Sequence, residues 1–145
     1  MASFASVKAK LKTILDTLTG GGQPLQIAYS WPNPSPRAFP CATITNLEGS
    51  AEKRFDTATN EVKMRFAINV FIRDKNTQAN HDLLDTIADL VMDAIRTSGD
   101  TLGGTVDIFD IESLTFATVS AEEQEIASLQ FEMIVVATSI KDAAG

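Results

Sequence analysis

Only one cysteine, Cys41, and one histidine, His81, occur in the 145 residues. An internal disulfide is thereby excluded, which fits a reducing compartment or indifference to redox state. A zinc site, which needs three or four N, S or O ligands, has little to draw on. Basic charge is scarce as well: 12 Lys and Arg stand against 19 Asp and Glu, a formal net charge of −7. Proteins that read nucleic acid use basic patches to neutralise phosphates, so this balance argues against that class. Lys8, Lys10 and Lys12 form the one close basic cluster, and a solvated helix face accounts for it. No run of about 18 apolar residues occurs, so no spanning helix is expected. The start, MASFASVKAKLK, lacks a basic segment followed by an apolar one, so no secretory signal is expected.

Recognisable catalytic patterns are also missing. Gly20, Gly21 and Gly22 are followed by no Gly-Lys-Ser/Thr, and they end a helical pattern rather than open one, against a phosphate loop. No Gly-x-Ser-x-Gly elbow exists. His81 falls at the start of a predicted helix, where a surface role is the usual one. Cys41 lies in an apolar run with no basic neighbour closer than Arg37, so nothing lowers its thiol pKa, and it reads as a small core hydrophobe. Acid pairs such as Glu122/Glu123 or Asp107/Asp110 have nothing to separate them from solvent. Catalytic residues, cofactors and metals are therefore expected to be none, and the chain is read as a non-enzyme.

What is present is an ordinary globular composition, 44% apolar and 21% charged, consistent with one domain over residues 1–145. Phe4, Val7, Leu11, Ile14, Leu15 and Leu18 keep the 3–4 spacing of a helical stripe, with Ser3 as cap and the glycine triplet as stop. A short apolar run, 25–29, follows, and then CATITNL (41–47), a strand rich in β-branched residues. Residues 48–60, EGSAEKRFDTATN, are polar and predict a long hairpin loop or arm. From Glu61 to Arg73, apolar residues Val62, Met64, Phe66, Ile68, Val70 and Ile72 alternate with polar ones. That pattern predicts a strand with one face on a core. Phe71 interrupts its polar face, either as an ordinary exposed aromatic or as an interface anchor.

The spacing of Leu84, Ile87, Ala88, Val91 and Ile95 predicts a second helix over 77–97. Its opposite face carries Asp82, Asp85, Asp89 and Asp93, like charges one turn apart. Helical spacing does not suit a calcium loop, and a di-metal bundle needs Glu-x-x-His pairs, which are absent. A solvated face is the plain reading, an interface or lumen-facing role the alternative. Two extended runs, 105–119 and 124–140, joined by SAEE, close the chain as a hairpin. Their alternation slips by one near residues 110–113, which predicts a bulge. The expected fold class is α+β: a mostly antiparallel sheet with two helices packed on one side and a C-terminal β-hairpin.

One segment fits no regular element. WPNPSPRAFP, residues 31–40, holds four of the five prolines. Each fixes φ, removes a donor and pushes its predecessor to extended geometry, so the segment reads as a stiff strap or edge, or as an ordinary connection from one strand to another.

The order helix, short strand, proline segment ending in "FPCATITNLEG", polar loop, long strand "EVKMRFAINVFIRD", helix "NHDLLDTIADLVMDAI" and β-hairpin resembles that of the tail terminator, or tail completion, proteins of long-tailed bacteriophages and phage-like gene transfer agents. The resemblance covers nearly the whole chain and rests on architecture rather than on diagnostic residues. It implies a structural virion protein of the tail or neck, assembled in the host bacterial cytoplasm. Such a protein forms a homo-oligomeric ring, a hexamer, on the head-proximal end of the tail tube. The ring ends elongation and joins tail to head. Implied partners are the tail-tube protein and a head-closure or connector protein, with DNA passing through the lumen without specific binding and no membrane. On that reading Trp31 and Phe39 anchor a preorganised intersubunit strap, and Lys53, Arg54 and Phe55 are contacts of the arm. Phe71 and Arg73 complete the candidate contact set. Two alternatives stay open: another neck or tail-tube subunit, and a ligand-binding or enzymatic α+β domain without a sequence-evident site.

Overall fold

A computed structural model of the chain describes residues 3–32, 38–53, 59–74, 78–99, 102, 106, 108–120 and 127–142. The elements are α1 (Phe4–Asp16), β1 (Ile27–Tyr29), β2 (Cys41–Lys53), β3 (Thr59–Asp74), α2 (Gln78–Thr97), β4 (Ile108–Ser120) and β5 (Ala127–Asp142). The α+β class is as expected. Helix α1 begins where a cap can form: the Ser6 amide donates to Ser3 Oγ at 3.1 Å, and the Ser3 amide donates to Ser6 Oγ at 2.8 Å. Helix α2 stops ahead of Gly99, whose φ of +82° is open to a residue without Cβ.

The strands form one sheet in the order β1-β2-β3-β5-β4. All neighbours are antiparallel except β1 and β2, which run parallel with Ile27 opposite Cys41. This pairing bears on the proline-rich segment. Adjacent parallel strands require a connection that carries the chain back along their length, and it falls between Tyr29 and Cys41; residues 33–37 of the expected strap lie outside the described residues. The return is pinned where the Gln26 amide donates to the Pro40 carbonyl at 2.8 Å.

Alternation along β3 places Met64, Phe66, Ile68, Val70 and Ile72 on one face, all buried. From β5, Leu129, Phe131, Met133, Val135 and Ala137 join them, each with 0% exposure. Both helices cover this face: α1 packs on β1 and β2, α2 on β5 and β3. Val7, Leu11, Ile14 and Leu15 of α1 and Leu84, Ile87, Val91 and Ile95 of α2 enter the same core. Each large apolar side chain so buried contributes about 1.5–3 kcal/mol. Leu102, on the way from α2 to β4, is also fully buried although its φ is +51°, so packing holds a backbone conformation that leucine rarely adopts.

One expectation needs correction. The polar stretch 48–60 is not a loop over its length: β2 continues to Lys53 and β3 starts at Thr59, with Lys53 opposite Asn60. Polar side chains suit a strand whose ladder is satisfied by its partner, and β3 supplies that partner here. The bulge expected near 110–113 is present, a register shift between Ile111 and Ser113. A second one, between Asn46 and Glu48, was not foreseen.

Candidate functional site

The expected contact residues do not converge on one spot. Trp31 follows β1 at one edge of the sheet, 51% exposed, with its ring 6.2 Å from that of Tyr29 in an edge-on contact. Phe39 is half-buried just ahead of β2. Phe71 is half-buried on β3 between Cys41 and Gln130. Arg73 stands opposite Ser128, with its side chain outside the described part. Lys53 lies at the far end of β2, likewise described by backbone alone, and Arg54 and Phe55 lie outside the described residues. Cys41 pairs with Phe71 and Lys53 with Asn60, so the two ends of this ladder are roughly 40 Å apart at 3.3 Å per residue. Phe71 and the arm tip therefore belong to different surfaces.

Three features on the molecule can meet another. The first is the sheet face that the helices leave open. It carries Asn69 and Phe71 from β3 and Gln130, Glu132, Ile134 and Val136 from β5, all half-buried. At its middle Arg65 ties three strands. Its Nη1 donates to Glu48 Oε2 of β2 at 2.7 Å, its Nε to Glu112 Oε2 of β4 at 2.7 Å, and its Nη2 to Glu112 Oε1 at 3.3 Å. Glu112 reaches Arg65 across the intervening β5 because it is the extra residue of the β4 bulge, and Glu48 borders the bulge in β2. The hydrogen bond and then the charge of Glu112 raise the Arg65 pKa above its ordinary value, with Glu48 adding to the same effect. All three side chains are more than a third exposed, so solvent screens these contacts and they add little to stability. Geometry, not energy, is what this clamp supplies: β2 and β4 bulge at the same level of the sheet. On the same face Cys41 has 0% exposure, and burial pushes its thiol pKa up to about 11. It is an inert packing group.

The second feature is the edge. β4 is the outermost strand on its side, thirteen residues long, and among the described residues nothing pairs with its outer rim. Ile108 and Phe116 on it are 50% and 48% exposed, the latter tilted against Phe131 at 6.0 Å. Long edges with exposed apolar side chains are ready templates for another chain.

The third is a set of clefts. One of about 520 Å³ lies between the end of α2 and β4, with Met92, Ile95, Arg96, Phe109, Asp110 and Glu112 in its walls. Its size suits a small ligand. Its charged groups are nevertheless solvated, and no described polar side-chain atom is buried without a partner. Among the described residues no group of three or more His, Cys, Asp or Glu is arranged to hold a metal. No helix is long and apolar enough to cross a membrane.

The Arg65 clamp and the exposed β4 edge were missed from the sequence. Arg65, Glu48 and Glu112 are 17 and 47 residues apart, and only the order β3-β5-β4 brings them together. The alternation of β4 carried a trace: Ile108 and Phe116 fall on opposite sides of the phase slip.

Comparison with known proteins finds no matching family model and no matching curated protein. Among solved structures, a chain of one described as "Virion of native gene transfer agent (GTA) particle" is similar at 15% identity and a TM-score of 0.42. The alignment covers 95% of this chain and 96% of that one.

Proposed function

We propose that the protein is a structural subunit of a phage-like virion. It assembles with copies of itself into a ring on the head-proximal end of a tail tube, where it ends elongation and meets the head connector. The observation that carries this reading is a sheet helix-covered on one face only, whose unpaired edge strand exposes Ile108 and Phe116. Such surfaces suit a subunit made to be covered by neighbours. The order of elements supports the tail terminator among neck components, and the β2–β3 hairpin reaching to Lys53 and Asn60 supplies the arm that such a role needs. Catalysis has no part in this reading. A net charge of −7 suits a passage that DNA crosses without sticking. A second reading, a ligand-binding domain, is favoured by the 520 Å³ cleft beside β4 alone.

The test is direct. Purified protein is mixed with tail tubes that lack their head-proximal cap, and tube length and ends are followed by electron microscopy. Capped ends and arrested growth are expected. Unchanged growth together with saturable binding of a small metabolite would favour the second reading.

A further inference from the structure

The two helices divide the sheet between them, and they carry opposite charge. Helix α1 lies over β1 and β2 and holds three lysines, Lys8, Lys10 and Lys12, against one aspartate. Helix α2 lies over β5 and β3 and presents four exposed aspartates, Asp82, Asp85, Asp89 and Asp93, against one arginine. Like charges at this spacing weaken a helix. Within the described residues no cation relieves Asp85, Asp89 or Asp93. The basic end has a groove of about 440 Å³ walled by Ala5, Lys8, Ala9, Lys12 and Ser30, one residue from the exposed Trp31. At the acidic end Asp85 borders a cleft of about 250 Å³, whose walls include Phe116 and Ala117 of the unpaired edge. Each end of the sheet thus combines an exposed aromatic ring, a shallow groove and a surplus of one charge, positive on α1, where Lys12 also bonds Asp16 at 2.9 Å, and negative on α2.

We infer that the α2/β4 end of one copy receives the α1/β1 end of the next, with Lys8 and Lys12 facing Asp85 and Asp89 and with Phe116 and Trp31 covered. The occupant is a second copy of this chain because the same molecule carries both complementary surfaces. A twofold contact between α2/β4 ends would set aspartate against aspartate, which like-charge repulsion disfavours. Head-to-tail contact avoids this, and it closes into a ring when the rotation between copies allows. The inference rests on the ring reading above and specifies its subunit contact.

Two variant chains test it, K8E/K12E and D85K/D89K, each checked for wild-type circular dichroism and then examined by analytical ultracentrifugation. Each alone is expected to assemble at least tenfold more weakly than wild type. An equimolar mixture is expected to regain wild-type assembly, since the reversed helices then alternate around the ring. Variants that assemble like wild type, or a mixture that fails to recover, would overturn the contact while leaving the ring itself standing. A wild-type chain that stays monomeric at every concentration would remove ring and contact together. Should a variant not fold, salt titration of the wild type decides. Raising NaCl from about 0.05 to 0.5 M shortens the screening length severalfold and is expected to weaken assembly at least tenfold. Assembly indifferent to salt would overturn the contact.

Discussion

Gly49 sits in β2 where a side chain would collide with α1. A Cβ built there would stand 2.5 Å from Phe4 Cζ and 3.1 Å from Phe4 Cε2. The Phe4 ring is held in that place by an edge-on contact with Phe66, centroids 5.6 Å apart. In the Gly49→Ala variant the ring must swing away, forfeiting a pair worth about 0.5–1.5 kcal/mol and part of its burial. Against this, alanine in a strand interior gains about 0.5–1 kcal/mol over glycine. The net effect in wild type is a loss of up to about 1 kcal/mol. In a Phe4→Ala background the obstacle is gone, and the same substitution should stabilise by about 0.5–1 kcal/mol. The coupling between the two sites is then about 0.5–2 kcal/mol, within the range for residues in contact. Urea unfolding of the four proteins of this double-mutant cycle measures it. Equal effects of Gly49→Ala in both backgrounds would show that Phe4 does not latch the start of α1 onto β2.

With a thiol pKa of about 11 instead of 9.0, native Cys41 holds about one-hundredth of the usual thiolate at pH 8, so alkylation should run at least 100-fold slower than in the urea-unfolded chain. Because its folded pKa is raised, the stability linked to Cys41 is complete below pH 9 and drains away as pH climbs from about 9 to 11. That loss is on the order of 2–3 kcal/mol, and Cys41→Ala should abolish this part of the pH dependence in denaturant melts. Arg65→Met should leave the urea midpoint almost unchanged, since its partners are solvated, while amide hydrogen exchange speeds up at both bulges. Phe131→Ala, in the middle of the core, should cost about 3–5 kcal/mol in the same melts.

Elements written in local periodicity were legible from the sequence. The alternation in β3 and the stripes of α1 and α2 specify which face each buries, because burial selects residues one position at a time. Even the β4 bulge showed, as a slip of phase. What stayed hidden depends on neighbours distant in the chain. The parallel pairing of β1 with β2 leaves no mark in three residues, so the sequence alone does not decide between a strap and a plain strand-to-strand connection for residues 31–40. Residues 48–53 read as loop because their strand character comes from pairing with β3 rather than from apolar alternation. The candidate surface was legible only in part. Trp31 and Phe71 were picked out as aromatics in polar settings, whereas the edge formed by β4 exists only once the strand order is known.

Identical copies of the chain are proposed to associate through shape and charge. Native mass spectrometry of the purified chain, taken across a hundredfold range of concentration, tests this most directly. A single closed species of several copies, six on the tail terminator reading, that grows with concentration at the expense of monomer is the predicted result. Monomer alone across the whole range would contradict it.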